Sequence, residues 1–201
     1  MRRIVVLGSG EGTNFSAIVE YAHLKKWNVD FFAISDVPTS GFIQRAKKSE
    51  IAYKAIDGSV GKKHLNEEIF NTLKKLNPYL VVLAGYMRIL PPKIVKEFEN
   101  KIINIHPALL PSFKGAHAIE EAMNCGVKWT GVTVHYVDEG VDTGPIIAQA
   151  PVPIFNNDTI ETLEARIHET EHAIYPIVIE RILGGEVIEG AFECQQQGQF
   201  K

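Results

Sequence analysis

Cysteine is almost absent from the chain: Cys125 and Cys194 are the only two among 201 residues. Two thiols cannot build a disulfide framework, and the compartment expected on this basis is the reducing cytoplasm. A basic excess is missing as well. The formal net charge of −3 argues against a nucleic-acid partner, because such binders carry a basic patch or stripe. No apolar run is long enough to span a bilayer. The two arginines at the start lead into an apolar run of strand length, without the apolar region and cleavage site of a signal peptide, so no membrane partner is expected. The sequon at Asn157-Asp158-Thr159 would then be chemically idle. Gly-x-Ser-x-Gly does not occur, so a serine nucleophile elbow is excluded. Internal repeats are also lacking. What remains is ordinary: 45% hydrophobic and 22% charged residues match a globular protein with one sizeable core.

The pattern along the chain alternates strands and helices. Ile4-Val5-Val6-Leu7 reads as a strand, Gly8 to Gly12 as a turn, and Phe15, Ile18 and Val19 as one helix face. A second strand is expected at Val29 to Ile34, a third at Ala52 to Ile56, and a helix from Lys62 to Leu76, where Leu65, Ile69, Leu73 and Leu76 recur at helical spacing. Tyr79 to Ala84 is continuously apolar, as in a strand buried on both faces. After Pro91-Pro92 come a short helix, a strand at Ile102 to Ile105, a helix from Gly115 to Met123, and two β-rich stretches, Gly131 to Val137 and Gly144 to Ile154, joined by a Gly-Asp loop. A last helix carries Ile160, Leu163, Ile167 and Ile174, with Asp158 and Glu161 spaced as a capping box and Pro176 expected to kink it near His172. These elements predict an α/β, Rossmann-like, mostly parallel sheet with helices on both faces. One domain is expected over residues 1–190, with a polar, frayed tail over 191–201.

Two sets of residues carry chemistry. In Gly8-Ser-Gly10-Glu-Gly12-Thr13-Asn14 the glycines allow close backbone approach, and the helix start behind them suits a phosphate. Thr13 stands where the dinucleotide fingerprint needs a third glycine, and no Gly-Lys-Ser/Thr follows to make a P-loop. A tight turn without ligand is the plainer possibility. Asn104 and His106 are two apart on an apolar strand that Pro107 ends, so they share a face at the carboxyl end of that strand, where parallel sheets place functional groups. Asp142 lies in a glycine-containing loop, from which a carboxylate reaches back to orient His106. Such a trio suits carbonyl chemistry: amide and imidazole stabilise an oxyanion, imidazole and carboxylate handle protons. A structural histidine with a turn-forming aspartate is the alternative. A metal site of His106, His117, His135 and Asp142 is another, although its spacing fits no ordinary ligand pattern and no metal is expected.

The segment Asn104-Ile105-His106-Pro107-Ala108-Leu109-Leu110-Pro111-Ser112-Phe113-Lys114-Gly115, with Gly131-Val-Thr-Val-His135 and Asp142-Thr-Gly144-Pro145-Ile146, resembles the formyltransferase family that uses 10-formyltetrahydrofolate. The likeness runs from Arg3 to Gly190. Within the family, Gly12-Thr13-Asn14 and Ala84-Gly85-Tyr86-Met87-Arg88-Ile89-Leu90 resemble the branch that formylates phosphoribosylglycinamide in purine synthesis. The resemblance implies that Gly12, Thr13 and Asn14 hold the substrate phosphate and ribose, with Glu171 on the ribose. It implies that Met87, Arg88, Ile89 and Leu90 line a pterin pocket, whereas sequence physics alone would favour simple core packing beyond a buried strand. Asn104 and His106 would bind the formyl oxygen, and Asp142 would assist proton transfer. Lys62 stands where a folate-contacting arginine is frequent, keeping charge but losing a planar fork. His168 stands at a position of varied polar residues.

The partners so implied are small molecules only, in a monomer or homodimer. A methionyl-tRNA formyltransferase would need a further carboxyl-terminal domain and a basic surface. A 10-formyltetrahydrofolate hydrolase would carry a regulatory segment ahead of the core, and a sugar-nucleotide formyltransferase would be longer. A phosphate-binding module without catalysis would explain the loop but not two polar side chains on an apolar strand end.

Overall fold

A computed structural model describes residues 1–185. The tail expected at 191–201, and the last residues expected for the domain, lie outside them. In chain order the elements are β1 (Arg2–Leu7), α1 (Thr13–Leu24), β2 (Val29–Ser35), α2 (Gly41–Lys48), β3 (Ala52–Ala55), α3 (Lys62–Leu76), β4 (Leu80–Leu83), α4 (Pro92–Glu97), β5 (Ile102–His106), α5 (Ala118–Cys125), β6 (Trp129–Tyr136), β7 (Ile146–Pro153) and α6 (Ile160–Gly184).

The strands form one seven-stranded sheet in the order β3-β2-β1-β4-β5-β6-β7. Pairing is parallel from β3 through β5 and antiparallel for β5 with β6 and β6 with β7. The apolar runs are continuous because both faces are covered. Ile4 and Val6 of β1 pack with α1, α2 and α6, through Phe15, Ile18, Phe42, Ile43, Ile167 and Tyr175. Val5 and Leu7 face Leu65, Ile69 and Leu73 of α3 and Ile94 of α4. The strand order reverses between β1 and β4, the switch point at which open α/β sheets bind ligands beyond the strands' carboxyl ends. The loops leaving those two strands touch there, the Ser9 amide donating to the Gly85 carbonyl at 3.0 Å. Tyr175 of α6 ties the same region together, its hydroxyl reaching the Leu83 and Ile103 carbonyls at 2.9 and 3.2 Å.

Three local expectations are corrected. The helix expected from Gly115 starts at Ala118: Gly115 has φ 91° and gives its amide to the Asp142 carboxylate instead of to a helical turn. The capping box of α6 is built by Thr159 and Thr162. Asp158 instead accepts from the Phe155 amide and pairs with Arg166. Finally, β4 is shorter than Tyr79 to Ala84. Through Pro176, α6 runs unbroken as helix.

Candidate active site

Asn104 and His106 stand at the carboxyl end of β5, side by side with β6. Register places Asn104 opposite His135 and His106 opposite Thr133. The Asn104 amide nitrogen lies 3.2 Å from His135 Nε2. Across the cluster, Asp142 Oδ2 lies 3.3 Å from His106 Nδ1, and its Oδ1 lies 3.6 Å from His135 Nε2. Asp142 has φ 51°, a left-handed conformation that short polar side chains tolerate. Its carboxylate also accepts the Gly115 amide at 2.8 Å.

Main-chain carbonyls settle where the ring protons sit. His135 Nδ1 faces the Tyr136 carbonyl at 2.8 Å, and His106 Nε2 faces the Phe113 carbonyl at 2.7 Å. A carbonyl only accepts, so Nδ1 of His135 and Nε2 of His106 carry hydrogens. When neutral, His135 has only the lone pair of Nε2 to offer Asn104, whose amide must present N–H to it. The second N–H of Asn104 is left for another acceptor. Asp142 is held ionised with its pKa lowered to about 2, first by a hydrogen bond from His135, which that ring gives through Nε2–H only in its charged form, against the opposing effect of burial, and with help from the Gly115 amide and His106.

Packing fixes the segment after β5. Buried Thr133 donates to the Ala108 carbonyl at 2.6 Å and accepts from the Leu110 amide and from Gln149 Nε2 at 3.0 Å each. Gln149 Nε2 also reaches the Leu110 carbonyl. The chain carrying Phe113 is thus pinned to β6 and β7. The four-residue metal set is not assembled, since His117 is exposed and faces Glu120 at 3.4 Å.

A second group of polar side chains lies where α1 meets α6. Gly12 caps α1 with φ 76°, and no side chain caps the helix. A side chain at Gly12 would meet the Phe42 backbone, and one at Gly8 would strike the Phe42 ring. The loop is held from outside by Phe42 N to Gly10 O at 2.9 Å and Arg45 Nε to Glu11 O at 2.7 Å. Buried Asn14 donates to Glu171 Oε2 at 2.8 Å, and His168 Nδ1 meets the same oxygen at 3.0 Å. Asn14 Oδ1 is buried without a partner. An uncapped helix start with acceptors beside it fits an anion next to hydroxyl groups.

The residues expected on the pterin side divide. Met87 and Ile89 are exposed, Leu90 is buried in the core beside Ile94, and Lys62 is exposed at the start of α3. Arg88 pairs with Asp36, whose other oxygen accepts the Ser9 hydroxyl at 2.6 Å. That hydroxyl in turn accepts the Met87 amide at 3.0 Å. Sequence reasoning did not find His135 as the partner of Asn104, and passed over Asp36 and Thr133. The alternation in Gly131-Val-Thr-Val-His135, which sets Thr133 and His135 on one face, was the available signal.

The chain matches the formyl transferase family over residues 2–179. It belongs to that family. A phosphoribosylglycinamide formyltransferase of Bacillus subtilis (strain 168) is 42% identical over 187 residues, covering 92% of this chain and 96% of that protein. The solved glycinamide ribonucleotide transformylase 1 of Geobacillus kaustophilus superposes with a TM-score of 0.86 at 44% identity, covering 92% and 100% of the two chains. The trifunctional purine biosynthetic protein adenosine-3 of Chironomus tentans is 39% identical over 196 residues, which is 92% of this chain but 14% of that protein. Family membership makes the protein an enzyme with the α/β sheet expected of it. Among the described residues no helix is long and apolar enough to cross a membrane.

Proposed function

We propose that this formyltransferase moves the formyl group of 10-formyltetrahydrofolate to the amine of 5-phosphoribosylglycinamide, giving the N-formyl product and tetrahydrofolate. The observation that carries this reading is the Asn104, His106 and Asp142 cluster, set at the same sheet edge as a helix start suited to phosphate. The amine nitrogen attacks the formyl carbon, and the carbonyl electron pair moves to oxygen. Asn104 donates its remaining amide N–H to that oxyanion. The Nε2–H of His106 is the second donor, for which the formyl oxygen competes with the Phe113 carbonyl. On collapse the carbon–nitrogen bond to the folate breaks. The proton lost by the amine reaches the folate nitrogen by way of His106 and ionised Asp142.

Binding residues follow the same plan. Gly12, Thr13 and Asn14 take the phosphate and ribose, and Glu171 accepts from a ribose hydroxyl. Exposed Met87 and Ile89, with Arg88 anchored on Asp36, border the pterin, and Lys62 supplies a positive charge for the folate. Holding both substrates in one cleft makes the step effectively intramolecular, which supplies much of the acceleration. The cytoplasm is the compartment this role implies. Single-turnover formyl transfer, run with and without the amine acceptor, tests the assignment. Transfer that requires the acceptor supports it. Formate release without product on the acceptor would make the enzyme a hydrolase.

A further inference from the structure

Glu171 is almost completely buried, at 4% exposure, and buried carboxylates need partners. Asn14 Nδ2 at 2.8 Å and His168 Nδ1 at 3.0 Å converge on its Oε2. Among the described residues Oε1 receives no donor. The other ring nitrogen of His168 lies 3.6 Å from Glu164 Oε1. One imidazole therefore stands between two carboxylates, one buried and one at the surface.

We propose that His168 is a positioning residue for the ribose-phosphate subsite: with Asn14 it clamps Oε2 of Glu171, turning Oε1 toward the acceptor's hydroxyl and making acceptor affinity depend on the charge of His168. This rests on the formyl-transfer reading given above.

The surroundings favour the charge on this ring. Its pKa is raised from the ordinary 6.5, first by the hydrogen bond to Glu171, against burial, with Glu164 adding to the effect. His172 stacks on it at 6.4 Å between ring centroids, and two stacked imidazoles resist charging together. His172 is the one kept neutral: burial lowers its pKa, His168 and Arg45 of α2 push the same way, and Glu171 and Glu20 of α1 oppose. Its Nε2 is buried without a partner. Deprotonation of His168 removes a hydrogen from one of its two carboxylate contacts, and with it the positive charge that steadies Glu171.

The test measures KM and kcat for phosphoribosylglycinamide in the full chain, its His168→Ala and its His168→Lys variants, between about pH 6 and pH 9. Ratios of variant to wild type cancel the titrations of the substrate's own phosphate and amine. For His168→Ala the KM ratio is expected at about fivefold to tenfold at the acid end, the size of one charge-assisted contact in a half-exposed place, and to fall toward one as pH rises. The lysine variant keeps its cation and is expected to match or surpass wild type in affinity at the alkaline end. Equal KM values for wild type and His168→Ala at every pH, or a ratio that does not move with pH, would overturn the proposal. So would a loss confined to kcat. Failure of the wild type to transfer formyl would overturn the reading beneath it as well, whereas wild-type transfer with a flat ratio would overturn this inference alone.

Discussion

The two ends of the candidate site are wired differently. Beside β5 and β6, polar side chains are referred to the main chain: His106 to the Phe113 carbonyl, His135 to the Tyr136 carbonyl, and Asp142 to the Gly115 amide. Where α1 meets α6, the ties run between side chains, Asn14 and His168 both to Glu171. Tyr136 ends β6, and the loop carrying Phe113 and Gly115 is tied at Ala108 and Leu110 to Thr133 of β6 and Gln149 of β7, so the first region holds a fixed pattern of donors. That is what stabilising a developing charge requires. The second leaves acceptors open, Asn14 Oδ1 among them, which suits binding. Under the proposed function, changes in the first region should therefore act on kcat and changes in the second on KM.

The largest effect that would break this division is at His106. His106→Ala is expected to lower kcat by about 10²- to 10⁴-fold, the usual worth of a positioned proton-transfer group, while KM for the acceptor changes little. Near-normal single-turnover rates at saturating substrates would remove His106 from the chemistry.

Asn104→Ala follows, at about 10²- to 10³-fold in kcat, the cost of one oxyanion donor. His135 sharpens the point, because under the proposed function its contact with the Asn104 amide at 3.2 Å would make it act through Asn104. His135→Gln is expected to cost less than Asn104→Ala, and the double variant to be no slower than Asn104→Ala alone, since residues working as a unit are not additive. Multiplying losses would show that His135 contributes by some other route.

In the binding region Glu171→Gln removes the charge but keeps the shape. It is expected to raise KM for phosphoribosylglycinamide by about tenfold or more, the worth of a charged hydrogen bond. Steady-state kinetics showing a kcat loss with KM intact would erase the contrast between the regions.

How far the sequence alone reaches follows from the same contrast. The central strands were legible because Ile4 to Leu7 and Leu80 to Leu83 are apolar without interruption, and burial on both faces is what that pattern means. Asn104 and His106 stood out as polar groups on an apolar strand end. His135 did not, because its pairing depends on the antiparallel register of β6 with β5, which brings residues 31 apart to one point. The start of α5 was misplaced for a related reason: Gly115 serves Asp142, a residue 27 positions later, rather than its own helix. Asn14 and Glu171 are separated by 157 positions, and only the family resemblance named them together. Local pattern reports burial. It does not report which distant donor a buried acceptor meets.

The smallest predicted effect concerns stability, and it tests whether the fixed wiring of the first region is real. Asp142 has a folded-state pKa of about 2 against an ordinary 3.8. A depressed carboxylate pKa stabilises the folded state above the unfolded-state value, and that contribution is lost as pH falls through 3.8 toward about 2. At neutral pH the shift corresponds to about 2 kcal/mol, of which about 1 kcal/mol is lost by roughly pH 3. The Asp142→Asn variant cannot titrate there, so comparing its urea denaturation with that of wild type isolates this residue from the other carboxylates. The stability gap between the two proteins should narrow by about 1 kcal/mol between roughly pH 6 and pH 3. A gap that stays constant would mean that His135, His106 and the Gly115 amide do not hold the Asp142 charge in the folded chain, and the main-chain wiring would then count for orientation alone.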